Sequence, residues 1–115
     1  MSISREQLEV CRRLGVEPLV AAQDMKVGLA RNIASGLQPI NGLRHPPGAD
    51  ATGWYIWAGT DLGQDPDFFE PVHVEHLKAR CPEVIPYLAL PAGWRFLIAA
   101  DHEDVWADET LLATE

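Results

Sequence analysis

No hydrophobic run in this chain approaches the 18 or so consecutive apolar residues of a membrane-spanning helix. The N-terminal MSISREQLEV likewise has no apolar stretch of the kind that leads a chain to secretion, so a cytoplasmic setting without membrane attachment is expected. Cysteine is scarce. Cys11 and Cys81 are the two present, and in a reducing compartment they are expected to be free, partly buried thiols rather than a disulfide. Positive charge is also scarce, with 9 Lys/Arg against 17 Asp/Glu and a formal net charge of -8. The deficit is local: residues 1 to 50 carry six basic and five acidic side chains, residues 51 to 115 three and twelve. Such a surface repels phosphate backbones, which argues against nucleic-acid binding, and it would steer a basic protein partner. Nor does the chain contain G-x-S-x-G, a P-loop or G-x-G-x-x-G, so the common hydrolase and nucleotide sites have no support.

What is present suits one folded domain over residues 1–115. The 47% hydrophobic and 23% charged content is that of a globular protein, and a chain of this length buries roughly two thirds of its unfolded surface. Ser4-Arg5-Glu6-Gln7 has capping-box spacing, and Ile3, Val10, Cys11 and Leu14 then share one face of a helix that Gly15 would stop. Pro18 to Ala22 reads as a short strand, and Asp24 as the cap of a turn or short helix from Met25 through Leu29 or beyond, ending near Ser35-Gly36. Pro39 to His45 alternates weakly and reads as an exposed or edge strand. The cluster from Pro46 to Gly53 is a loop.

Gly53 to Gly59, GWYIWAG, is aromatic and β-branched between two glycines and predicts a central strand. Trp54, Ile56 and Ala58 would face the core, with Tyr55 and Trp57 on the opposite side. Phe68 to Val74 predicts a strand with Pro71 favouring an edge, Glu75 to Arg80 a helix, and Pro82 to Leu88 a second helical turn. Trp94 to Ala100 predicts the clearest strand, returning through Asp101 to Asp104 as a hairpin with Val105, Trp106 and Ala107. The order describes an α+β fold: a leading helix, a mostly antiparallel sheet, short helices and a C-terminal β-hairpin.

Three groups of residues invite a chemical reading. His73 and His76, three apart, would share a helix face and could hold zinc with His45, Asp101 or His102, but the H-E-x-x-H spacing is absent and a strand-to-helix change is predicted between them. Cys81 lies between Arg80 and Pro82 with no signature for a general base, so a structural thiol is the simpler expectation. Asp61, Asp65 and Asp67 form an acidic loop that lacks EF-hand spacing and a bidentate glutamate, which leaves a solvated turn or a contact for a basic partner. No cofactor is called for.

From about Val27 to Glu109 the chain resembles the immunity-protein-33-like family, a bacterial group overlapping a domain long catalogued as of unknown function. Three blocks carry the resemblance: Thr52 to Gly59; Asp65-Pro66-Asp67-Phe68-Phe69 with Pro71 to Leu77; and Pro82 to Leu88 with Pro91-Ala92-Gly93. Ala30 to Gly36 also fits the family's short helix ahead of its first sheet strand. The resemblance implies an α+β fold and a stoichiometric binder that neutralises a toxin, not an enzyme. Tyr55, Trp57, Asp61, Asp65, Asp67 and Glu70 are then the residues expected to meet a protein toxin, and the acidic charge favours a basic one. The alternative is a small metal-dependent or ligand-binding enzyme built on His73, His76 and nearby carboxylates.

Overall fold

A computed structural model describes residues 3–59 and 68–112. The first helix, α1 (Arg5–Leu14), opens with the capping box: Gln7 N–H donates to Ser4 Oγ at 3.1 Å and Ser4 N–H to Gln7 Oε1 at 3.2 Å. Gly15 ends it in the left-handed conformation. Six strands follow, β1 (Lys26–Ala30), β2 (Ile40–Arg44), β3 (Ala51–Ala58), β4 (Phe69–His73), β5 (Trp94–Ala99) and β6 (His102–Ala107). They form one sheet in the order β4-β1-β3-β2-β5-β6, in which β1 and β3 run parallel and every other neighbouring pair is antiparallel. Short 3-10 turns and the four-residue helix α2 (Leu77–Arg80) fill the connection from β4 to β5.

The expected α+β architecture, leading helix and C-terminal hairpin are all present, with three local corrections. Lys26–Ala30 is a strand, and helical structure begins only at Arg31 as a 3-10 turn ending at Ser35. Its apolar residues Val27 and Leu29 alternate into the core, and ladders to β3 and β4 on its two sides hold it extended. Residues 18–22 form no strand; Leu19 N–H instead donates to Ala89 O at 2.8 Å, tying an irregular segment across the core. β2 is interior, not an edge, flanked by β3 and β5. Its weak alternation arises because Gly42 contributes no side chain: a Cβ there would lie 2.3 Å from the Phe96 ring, which fills the space from the next strand.

Register defines two faces. Val27, Leu29, Ile40, Trp54, Ile56, Val72 and Phe96 point to one side and pack with Leu77, Val84, Leu88 and Leu90, while Val10 and Leu14 of α1 cover them further out. Each large apolar side chain so buried contributes about 1.5–3 kcal/mol. Trp54 is anchored by Nε1–H donating to Leu88 O at 2.9 Å. The opposite face carries Tyr55, Trp57, Leu43, Phe69, Leu97 and Trp106, none of which joins that core cluster. Among the described residues, no helix is long and apolar enough to cross a membrane.

Candidate interaction face

The second face is built strand by strand. One lateral row of paired residues crosses all six strands: Pro71, Gly28, Tyr55, Leu43, Arg95 and Trp106. Tyr55 lies at its centre, 40% exposed. Its ring lies over Gly28, where any Cβ would approach to 2.7 Å, so glycine at 28 is what allows the ring to lie flat on the sheet. His45 and Phe69 meet it edge-on, with centroids at 5.7 and 5.2 Å. Leu43, His45, Tyr55 and Phe69 enclose a shallow groove of about 270 Å³. At the other end of the row the Arg95 guanidinium stacks 5.3 Å from the Trp106 ring and reaches Asp108 at 3.4 Å.

Two N–H donors of this face, Trp57 Nε1 and Arg95 Nε, are buried and have no acceptor among the described residues. An unpaired buried donor costs free energy that a neighbouring carbonyl or carboxylate would recover. The face therefore sets apolar rings above buried donors, with Tyr55 its exposed aromatic.

The expected contact residues divide. Tyr55 is displayed at the centre of the face. Trp57 is 4% exposed and packs edge-on against Phe69 at 6.5 Å, so it supports the displayed rings from beneath. Glu70 lies on the edge strand β4 and is held by Arg80 at 2.8 Å and Arg31 at 3.6 Å. Asp61, Asp65 and Asp67 lie outside the described residues. Phe69, Leu43 and Arg95 were missing from the expectation; only cross-strand register brings them beside Tyr55, and register is not visible in a linear sequence.

The other candidates do not converge. His73 ends β4 and His76 lies in the following turn, ring centroids 5.7 Å apart, whereas His102 stands on β6 at the opposite side of the sheet. Nδ1 of His45 lies 3.2 Å from Leu111 O. Among the described residues no three His, Cys, Asp or Glu side chains are grouped to hold an ion. Both cysteines are free and buried. Burial, with Glu83 beside it, pushes the Cys81 thiol up to about 12, the reverse of an activated nucleophile.

Among the described residues three carboxylates lie below their usual range; Asp108 is held there by Thr110 and Arg95, and the other two link separate elements. The Tyr87 hydroxyl, donating at 2.5 Å, holds Glu103 below the usual carboxylate range with help from Arg13; the Arg80 hydrogen bond does the same for Glu70. Because both folded values lie below the unfolded ones, their stabilisation is complete above about pH 5 and is lost as pH falls through the depressed values. The melting temperature is expected to be flat from neutrality to about pH 5 and to fall below about pH 4, with a shallower fall in Arg80→Ala. A profile identical in wild type and variant would remove Glu70 from this account.

The fold and face together define a small α+β scaffold that displays one open side of its sheet. The chain belongs to the Imm33-like domain family, whose profile matches residues 6–108. The match takes in α1 as well as the β5–β6 hairpin, a longer span than the three sequence blocks alone. No curated protein and no solved structure matches the chain.

Proposed function

We propose that this protein is an immunity protein that binds a cognate bacterial toxin stoichiometrically and blocks it, without catalysing a reaction. Membership of the Imm33-like family carries the reading. The open face supports it, since Tyr55 is an exposed aromatic anchor set among Phe69, His45 and Leu43, the kind of residue on which binding energy concentrates. Trp57 backs the Tyr55 face, Glu70 lies at the β4 edge on the other side of the sheet, and the acidic segment bearing Asp61, Asp65 and Asp67 adds the charge that would speed encounter with a basic toxin. Neutralisation in this reading takes place in the cytoplasm.

The test is co-expression with the product of the adjacent gene, scoring growth rescue and co-purification. Rescue with a stable complex is expected. Tyr55→Ala should then weaken that complex by about thirtyfold, as for a central aromatic anchor. Charge reversal at Asp61, Asp65 and Asp67 should slow association and flatten its salt dependence while leaving dissociation nearly unchanged. Absence of both rescue and complex, together with stoichiometric zinc that disappears in His73→Ala, would replace this reading with the metal-dependent one.

A further inference from the structure

The two edges of the sheet differ in kind. β4 carries Pro71 in mid-strand, and its Glu70 is clamped by Arg31 and Arg80. Proline cannot donate to a further strand, so this edge is blocked. β6 has no proline, no lysine and no bulge along its six-residue ladder with β5.

The direction of its backbone groups follows from one hydrogen bond. Asp108 N–H donates to Gly93 O at 2.6 Å. Antiparallel residue pairs alternate between bonded and non-bonded. The bonded Gly93–Asp108 pair therefore makes Arg95–Trp106, Leu97–Asp104 and Ala99–His102 the bonded pairs beyond it. The N–H and C=O groups of Glu103, Val105 and Ala107 then point outward, and none of the described residues pairs with them.

We propose that this edge accepts an extended, basic segment of a partner protein as a seventh strand. Unpaired main-chain groups supply the adhesion, and side-chain charge selects the partner. Asp101, Asp104 and Glu103, the last already shared with Arg13 and Tyr87, flank the outward groups, and no Lys or Arg occurs from residue 96 to 112, although Arg95 lies across from Trp106 on β5. Asp104, 61% exposed in its side chain and 3.1 Å from the exposed His102 ring, lies on the same face as Trp106, where a cross-strand Lys or Arg would compete with His102 for it. On the other side of the hairpin, a cleft of about 520 Å³ sets Glu83, Asp101 and Glu103 around an apolar floor of Ile40, Ile98 and Tyr87, which suits the stem and charged head of a long cationic side chain. A second copy of the chain would bring the same carboxylates and a further charge of -8, which disfavours self-pairing. The inference does not require the partner to be a toxin.

Two synthetic peptides test it, a ten-residue alternation of Lys and Thr and the matching alternation of Glu and Thr, with amide hydrogen exchange of the intact protein as readout. Saturating Lys/Thr peptide is expected to slow exchange at Glu103, Val105 and Ala107 by about tenfold or more, with little change at Asp104 and Trp106, which are already bonded to β5. The Glu/Thr peptide should have no effect. Asp104→Lys, a change at an exposed site, should weaken the Lys/Thr peptide about tenfold. No protection at millimolar Lys/Thr peptide would overturn the proposal, as would equal protection by both peptides or unchanged affinity in Asp104→Lys. Protection of the three amides that rises with protein concentration alone would assign the edge to a second copy instead.

Discussion

Arg44→Ala is expected to destabilise the protein by about 4 kcal/mol or more, enough to lower the melting temperature by more than about 15 °C. Arg44 is 1% exposed on β2, and its guanidinium is spent on main-chain carbonyls. Nε donates to Thr52 O at 2.8 Å, while Nη1 lies 2.7 Å from Leu19 O, 3.0 Å from Leu88 O and 2.8 Å from Leu90 O. The same group lies 5.6 Å from the Trp54 ring centroid. Burial lowers its pKa to about 10, so it is fully charged at neutral pH. Removing it takes the guanidinium donor from the carbonyls of Leu19, Thr52 and Leu90, leaves Leu88 O with Trp54 Nε1–H alone, and opens a cavity, penalties that add. Arg44→Met restores most of the volume and none of the donors, and should recover less than half of the loss. Chemical denaturation of the three proteins checks the order; a melting temperature unchanged in Arg44→Ala would show that the carbonyls find water without cost.

Gly53→Ala should cost about 3 kcal/mol or more, with the soluble yield falling accordingly. Between Lys26↔Ala51 and Gly28↔Tyr55, β1 advances two residues while β3 advances four, so β3 bulges there. Gly53 sits in the bulge with φ 92°, a conformation that L side chains rarely adopt. A Cβ at this position would also lie 2.0 Å from His45 O, and a backbone atom cannot step aside as a flexible side chain can. The neighbouring hydrogen bond from His45 N–H to Gly53 O, at 2.9 Å, would be pushed apart. Gly48→Ala, where the nearest atom would be 3.9 Å away, is the matching control and should be nearly neutral.

Elements with strong local chemistry were legible in the sequence. The capping box placed α1, the clustered aromatics placed β3 in the interior, and Pro71 placed β4 at an edge. Trp54 and Ile56 face the core as their alternation required. What escaped depends on partners remote in the chain. β2 resembled an edge because its burial is provided by Phe96 and its buried cation by carbonyls from four other positions. β1 resembled a helix because five residues carry little periodicity and its two neighbours come from later in the sequence. The open face was half legible: period two set Tyr55 opposite Trp54, but no linear rule says that Phe69, Leu43 and Arg95 gather around it.

The insertion of β1 between β3 and β4 has a consequence for how the sheet is assembled. Both of its partners are later in the chain, so β1, like the β4 that pairs with it, cannot zip up with a sequence neighbour. The β2–β3 and β5–β6 pairs close short loops at small entropic expense, whereas β1 must wait for residues more than twenty positions downstream. A nascent chain cut anywhere before Phe69 therefore leaves Val27 and Leu29 with one unpaired flank, and the completed sheet is a property of the chain only once β4 has arrived.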